Sequence, residues 1–330
     1  MLFRSPDPLC AMKMVFGNGR VFGSGSAAGP GTLEEMLEAG CAMNQAQGPV
    51  WLDFGRVITG AQGTLAAVCW ASVKVRPIGS CRTMTYVQSD DIGVLGTYAS
   101  QVIRRRLGEE AVILNKKGLQ VILGIDAAAA AEMPEWTYLS SVRGFRFFPE
   151  EYMNNQIEDM AEIAGKYGLK LATDINGISS EDAYKALDGH SAKGDFWKLR
   201  GGEKIVDLFM INTIGKIEKF ERIAAGAVKL AGLNPEDLIV YAQPSQMARN
   251  CHIEFLIPAG EKAAELEKSM GMALLDNKAF YSRPYGSMEP EIYEKYKNQR
   301  HYMPAIKAVF DAKGIMNPGK LEDGYKGGEI

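Results

Sequence analysis

Between residues 79 and 257 the apolar pattern switches repeatedly between strand-like alternation and helix-like stripes, and this switching constrains the fold more than any other feature. Segments 111–114, 119–125, 169–175, 205–211, 238–243 and 251–257 read as strands. Helical stripes run over 90–107, 153–167 (Ile157, Met160, Ile163 and Ala164 inward) and 216–231, the last closed by Gly232. The order is not a regular succession of βαβ units, so the expected class is α+β, with an antiparallel sheet. The 330 residues, 46% hydrophobic and 23% charged, suffice for one large or two ordinary domains with a buried core.

The flanking regions carry different signals. Gly17, Asn18 and Gly19 predict a hairpin in which both turn residues take positive φ. Thr32 and Glu35 form a capping box ahead of a short amphipathic helix. Gly60 and Gly63 bracket a tight loop whose backbone a ligand can approach closely, and Thr64 adds a hydroxyl. A strand follows, with Val73 and Val75 alternating against Ser72 and Lys74. From Glu261 the tail is mostly helical, broken at Pro284, Pro290 and Pro304, and it ends in a turn presenting Asn317 and Lys320. The expected organisation is 1–78, 79–275 and a C-terminal helical segment, 276–330.

Charge excludes several functions. Lys plus Arg total 37 against 40 Asp plus Glu, a net −3, which leaves no basic footprint for nucleic acid or an anionic membrane. No apolar run is long enough to span a bilayer. The five cysteines have no Cys-x-x-Cys spacing and the three histidines are scattered, so neither a disulfide framework nor a metal site is expected; a reducing, cytoplasmic setting fits. Gly23 to Ala28 matches G-x-G-x-x-A, but the helix begins too late to bring its N–H groups to a dinucleotide pyrophosphate, so it reads as a loop.

Two constellations can carry chemistry. His252 and Glu254 fall on one face of a strand, with Ile253, Phe255 and Ile257 on the other, so a carboxylate can orient an imidazole as base or hydrogen-bonding group. The bland reading, a half-buried histidine satisfied by its neighbour, stands beside it. Arg283 lies between Tyr281 and Tyr285, a set suited to a carboxylate or a phenolate, or simply a turn with packed aromatics. Trp197, near Arg200, is a further candidate for a substrate wall.

Taken together, the 60–64 loop and the closing run Phe310-Asp-Ala-Lys-Gly-Ile-Met-Asn-Pro-Gly-Lys-Leu321 resemble the FAD-linked oxidases of the vanillyl-alcohol oxidase and glycolate-oxidase/D-lactate-dehydrogenase superfamily. Ala312 stands where that family usually has Pro. The runs FWKLRGG (196–202), VYAQP to CHIEF (240–255) and AFYSRPYG (279–286) extend the resemblance across the chain. It implies the trailing part of a PCMH-type FAD-binding domain plus an α+β substrate cap. It also implies hydride transfer from a small hydroxylated substrate, a 2-hydroxy acid or a phenolic alcohol, to flavin N5. In that scheme Gly60, Gln62, Gly63, Thr64, Asn317 and Lys320 contact FAD. His252, Tyr281 and Arg283 serve catalysis, and Arg283, Tyr285, Trp197 and Glu254 contact substrate. Electrons pass on to a further acceptor, and a homo-oligomer or a redox partner subunit is compatible. The family's glycine-rich diphosphate lobe has no counterpart here, so the chain is expected to be the C-terminal two-thirds of a longer flavoenzyme that binds FAD weakly by itself. The alternative is a flavin-free subunit or scaffold that keeps the cap fold.

Overall fold

A computed structural model describes residues 9–25, 32–38, 54–73, 75, 77–188, 204–282, 284 and 286–320. The chain divides into two compact units, Met1–Arg76 with Glu289–Ile330, and Pro77–Met288.

In the first unit, β1 (Leu9–Phe16), β2 (Val21–Gly25), α1 (Leu33–Glu38), α2 (Phe54–Ile58) and β3 (Ala66–Val73) follow in order, with an antiparallel sheet ordered β2-β1-β3. The capping box forms as expected: Thr32 N donates to Glu35 Oε2 at 2.7 Å, and Glu35 N to Thr32 Oγ1 at 3.2 Å. The β1–β2 turn departs from the sequence expectation. Gly19 N donates to the Phe16 carbonyl and Phe16 N to the Arg20 carbonyl, while of the Asn-Gly pair only Gly19 takes positive φ, +82°. This is a three-residue hairpin whose glycine takes the bulge position. Gly23 and Gly25 lie inside β2, and α1 starts at Leu33, so no helix opens at a dinucleotide fingerprint.

The second unit contains β4 (Cys81–Ser89), α3 (Ile92–Arg104), β5 (Ala111–Asn115), α4 (Lys116–Leu123), α5 (Ala127–Ala131), β6 (Trp136–Gly144), α6 (Pro149–Lys166), β7 (Leu171–Ala172), α7 (Ser180–Asp188), β8 (Ile205–Asn212), α8 (Ile217–Leu230), β9 (Ile239–Ser245), β10 (Asn250–Pro258) and α9 (Ala263–Asp276). Its seven strands form one antiparallel sheet, ordered β7-β4-β6-β5-β9-β10-β8. On one face Leu119 and Ile122 of α4, Ala130 of α5, and Ala183 and Tyr184 of α7 pack with Met84, Tyr86, Leu114 and Leu139. The other face carries α3, α6, α8 and α9; there Tyr98 of α3 meets Tyr138 of β6 edge-on, ring centroids 5.5 Å apart.

Several local expectations are corrected here. Segment 119–125 is the helix α4, not a strand. Asn115 caps it by accepting from Gly118 N at 2.9 Å, Leu119 and Ile122 bury one helical face, and Gly124 closes it at φ +70°. Segment 169–175 keeps only two strand residues. The chain turns at Asn176 and Gly177, both at positive φ, and Ile178 N donates to the Ile175 carbonyl at 3.0 Å. The Asn-Gly turn geometry expected near residue 18 therefore occurs at residue 176. The central strands β4 and β6 have no counterpart in the sequence reading because Thr and Ser interrupt their apolar runs. The hydroxyls of Thr85, Thr137, Ser140 and Ser141 are buried and bonded, as when Thr85 Oγ1 donates to the Ser140 carbonyl at 3.0 Å.

The second unit also extends past residue 275. Ile211 N donates to the Phe280 carbonyl at 2.8 Å, and Met288 fills the space beside Gly271, where a Cβ would lie 2.6 Å from its sulfur. These contacts tie 276–288 to β8 and α9 rather than to the C-terminal segment. The first unit then resumes with α10 (Glu289–Lys295) and α11 (Lys297–Phe310). Pro290 sits in the first turn of α10, where no intrahelical N–H is needed. Pro304 does not break α11, whose residues Ile306 and Phe310 pack on the Met12, Met14 and Phe16 core beyond it.

Candidate functional site

The imidazole expected to carry chemistry sits on the seven-stranded sheet of the second unit. His252 and Glu254 share the sheet face that also carries Leu114, because Glu254 pairs with Tyr241 and Tyr241 with Leu114 across the antiparallel ladders. Leu256, the next residue of β10 on this face, belongs to the apolar cluster under α4, so the pair marks the point where that cluster gives way to polar side chains. His252 Nε2 lies 3.1 Å from Glu254 Oε2, and the two residues are exposed to only 4% and 3%. Phe209 of β8 and Tyr241 of β9 flank the ring, their centroids 5.5 and 6.4 Å from that of His252. Burial, then the neighbouring Cys251, pushes the Tyr241 hydroxyl up to about 12, so it stays a neutral donor at ordinary pH.

Phe209 and Tyr241 were not singled out in the sequence. Their signal is the same alternation that exposed His252 and Glu254: positions 207, 209 and 211 of β8 are only half-buried while 206, 208 and 210 are buried. Only the register, with Phe209 and Tyr241 both opposite Glu254, shows that they belong beside the imidazole.

The AFYSRPYG segment reaches this sheet but splits across it. His252 pairs with Ile211, and Ile211 bridges to Phe280, so Phe280 joins the His252 row at the edge of the sheet. Tyr281, the next residue, turns to the opposite face, where its buried hydroxyl donates to the Gly271 carbonyl of α9 at 3.0 Å. His252 and Tyr281 therefore do not converge. Arg283, Tyr285 and Trp197 lie outside the described residues.

In the first unit, loop 60–64 is a left-handed turn. Gln62 and Gly63 have φ of +51° and +76°, and Thr64 N donates to the Ala61 carbonyl at 2.9 Å. The Thr64 hydroxyl donates to that same carbonyl at 2.7 Å and is fully buried. The Asn317 amide donates to the Gln62 carbonyl at 2.7 Å, and Lys320 Nζ pairs with Glu289 at 2.6 Å. The side-chain donors expected at a cofactor are thus engaged inside the unit. What the loop presents is bare backbone: a Cβ on Gly60 would meet nothing within 4 Å, and one on Gly63 only the Asn317 side chain at 3.9 Å.

No protein-family model and no curated protein sequence matches the chain. Solved structures do match in fold. The 4-ethylphenol oxidase from Gulosibacter chungangensis, in complex with isoeugenol, superposes with a TM-score of 0.74 at 15% identity, over 95% of this chain and 65% of that one. A p-cresol methylhydroxylase with substrate bound gives 0.73 at 14% identity, over 95% and 64%. The chain has the fold of the FAD-linked oxidases. An alkyldihydroxyacetonephosphate synthase shares that fold more distantly, with a TM-score of 0.59 at 10% identity over 94% of this chain and 53% of its own. The chain thus spans a little under two thirds of the length of these two phenol-acting neighbours.

With respect to FAD, loop 60–64 fits the fold in one way and not in another. Two exposed glycines at positive φ leave room for a flat ring or a diphosphate to lie on the backbone. The Thr64 hydroxyl and the Asn317 amide instead bond to the loop's own carbonyls, and Lys320 pairs with Glu289. Among the described residues no group of three or more His, Cys, Asp or Glu side chains could hold a metal ion, and no helix is long and apolar enough to cross a membrane.

Proposed function

We propose that this chain is the cap and C-terminal portion of an FAD-dependent oxidoreductase acting on a small phenolic substrate. The observation that supports it most is the fold shared over 95% of the chain with two flavoenzymes whose bound molecules are phenols or cresol-type substrates. The sheet face supports phenols over 2-hydroxy acids, because aromatic rings flank the only described imidazole with a carboxylate partner.

In this reading Phe209 and Tyr241 bind and orient an aromatic ring against the sheet. Glu254 holds Nε2 of His252 and orients the ring, and the imidazole takes the substrate hydroxyl proton. Gly60 and Gly63 hold the cofactor through backbone. Bound flavin would supply the two-electron acceptor for the hydride leaving the substrate carbon. Arg283 would balance the negative charge of the deprotonated substrate.

The test is anaerobic mixing of FAD-supplemented protein with 4-alkylphenols and, separately, with 2-hydroxy acids, following loss of the oxidised-flavin band. Phenols should bleach it and hydroxy acids should not; bleaching by hydroxy acids alone would overturn the phenolic assignment. A second reading, a flavin-free subunit or scaffold, draws support from the engagement of Thr64, Asn317 and Lys320 within the unit. It predicts no flavin difference spectrum even at saturating FAD.

A further inference from the structure

A buried lysine in α11 has no part in the site described so far. Lys307 and Asp311, one helical turn apart, are exposed to 1% and 0%, with Nζ 3.0 Å from Oδ2. Lys307 Nζ also donates to the Thr64 carbonyl at 3.0 Å and to the Met316 carbonyl at 2.7 Å. The three N–H groups of the ammonium thus meet three oxygens. Asp311 in turn accepts from Ile315 N at 3.0 Å and from Met316 N at 2.8 Å. A buried ion pair is a poor source of net stability, since packed apolar residues often do as well or better. What sets this pair apart is where it points. The carbonyls held by Lys307 belong to loop 60–64 and to the closing segment that also clasps that loop through Asn317.

We propose that Lys307 is a positioning residue for the cofactor: through the Thr64 and Met316 carbonyls it sets the place of the 60–64 turn, whose exposed Gly60 and Gly63 backbone meets the flavin. The proposal rests on the flavin reading above. Gln62 takes a left-handed conformation without being glycine, so the turn is held against its own backbone preference and needs an external clamp.

The test compares wild type, Lys307→Met and Lys307→Met/Asp311→Asn. Each is followed by FAD titration (fluorescence and difference spectrum), by hydrogen–deuterium exchange over residues 58–66, and by thermal unfolding. Lys307→Met should exchange faster over 58–66, with β10 unchanged, and bind FAD about tenfold or more weakly, as when other cofactor-orienting groups are removed. The double variant should recover thermal stability, because no unpaired buried charge remains, without recovering loop protection or the flavin spectrum. Recovery of all three would reduce the pair to a structural element and overturn the proposal, as would wild-type exchange over the loop in Lys307→Met. Unchanged FAD affinity in Lys307→Met sinks the proposal alone. A wild-type protein that gives no flavin spectrum sinks the flavin reading and the cofactor role of Lys307 with it. If Lys307→Met does not fold, the double variant decides by the same two loop readouts.

Discussion

Nε2 of His252 stands 3.1 Å from Oε2 of Glu254, two residues along one face of β10, and both side chains are closed to solvent. A carboxylate in that position fixes which ring nitrogen carries the proton and stabilises the imidazolium once it forms.

His252→Ala should therefore slow flavin reduction by roughly 10²–10⁴-fold if the imidazole is the base. Glu254→Gln should cause a smaller loss, because the amide keeps the contact but not the charge. Single-turnover stopped-flow of the FAD-supplemented protein measures both. A His252→Ala rate equal to wild type would remove the imidazole from the mechanism and leave it a packed core residue.

Gly17 and Asp311 approach closely: a Cβ on Gly17 would lie 2.3 Å from Oδ1 and 2.6 Å from Cβ of Asp311. Asp311 cannot swing away, because two backbone N–H groups and Lys307 hold its carboxylate. Gly17→Ala should cost about 1–3 kcal/mol through this overlap, although the residue's φ is ordinary. Urea unfolding of the pure protein decides it; an unchanged midpoint would mean that the Asp311 network yields.

Asn115 caps α4 and stitches β5 to β9. Its Oδ1 accepts from Gly118 N and from Val240 N, each at 2.9 Å, and its Nδ2 donates to the Leu238 carbonyl at 2.8 Å. Asn115→Ala would leave a buried N–H and a buried carbonyl without partners and remove a helix cap, a loss of about 2–4 kcal/mol. Thermal unfolding should show a clearly lowered midpoint, and a variant as stable as wild type would show that water replaces the amide.

Burial pushes the Asp311 carboxyl up, but the Met316 N–H, the Lys307 ammonium and the Ile315 N–H more than offset this and hold it below the ordinary aspartate range. A folded-state value below the unfolded one contributes stability above the unfolded value, and that contribution is lost as pH falls through the folded value. The stability gap between wild type and Asp311→Asn should accordingly be widest near neutral pH and narrow below about pH 4. Denaturant melts across that range test the sign; a gap that widens in acid would contradict it.

Some of this protein is local enough to read from the chain. Alternation in β10 assigns His252 and Glu254 to one face because successive side chains must point to opposite sides of a strand. The capping box at Thr32 and Glu35 closes within three residues, so no distant contact is needed to form it. Where the chemistry of a segment suits two structures, local pattern fails. The apolar run after Asn115 fits a strand or a helix, and the Asn115 cap with the burial of Leu119 and Ile122 decides for the helix. The hydroxyl-rich β4 and β6 look too polar for central strands until their Ser and Thr groups find partners across the sheet.

The sequence by itself determined the α+β class, the faces of the strands and the motifs that resemble the FAD-linked oxidases. Tertiary structure alone decided which side chains meet. Tyr281 faces α9 instead of His252 because its neighbour Phe280 is bridged to Ile211, and alternation then turns the tyrosine away. Asn317 reaches Gln62 across 255 positions and Lys307 reaches Thr64 across 243. Hydrogen bonds of that span depend on how helices and sheet pack, and neither periodicity nor motif spacing encodes the packing.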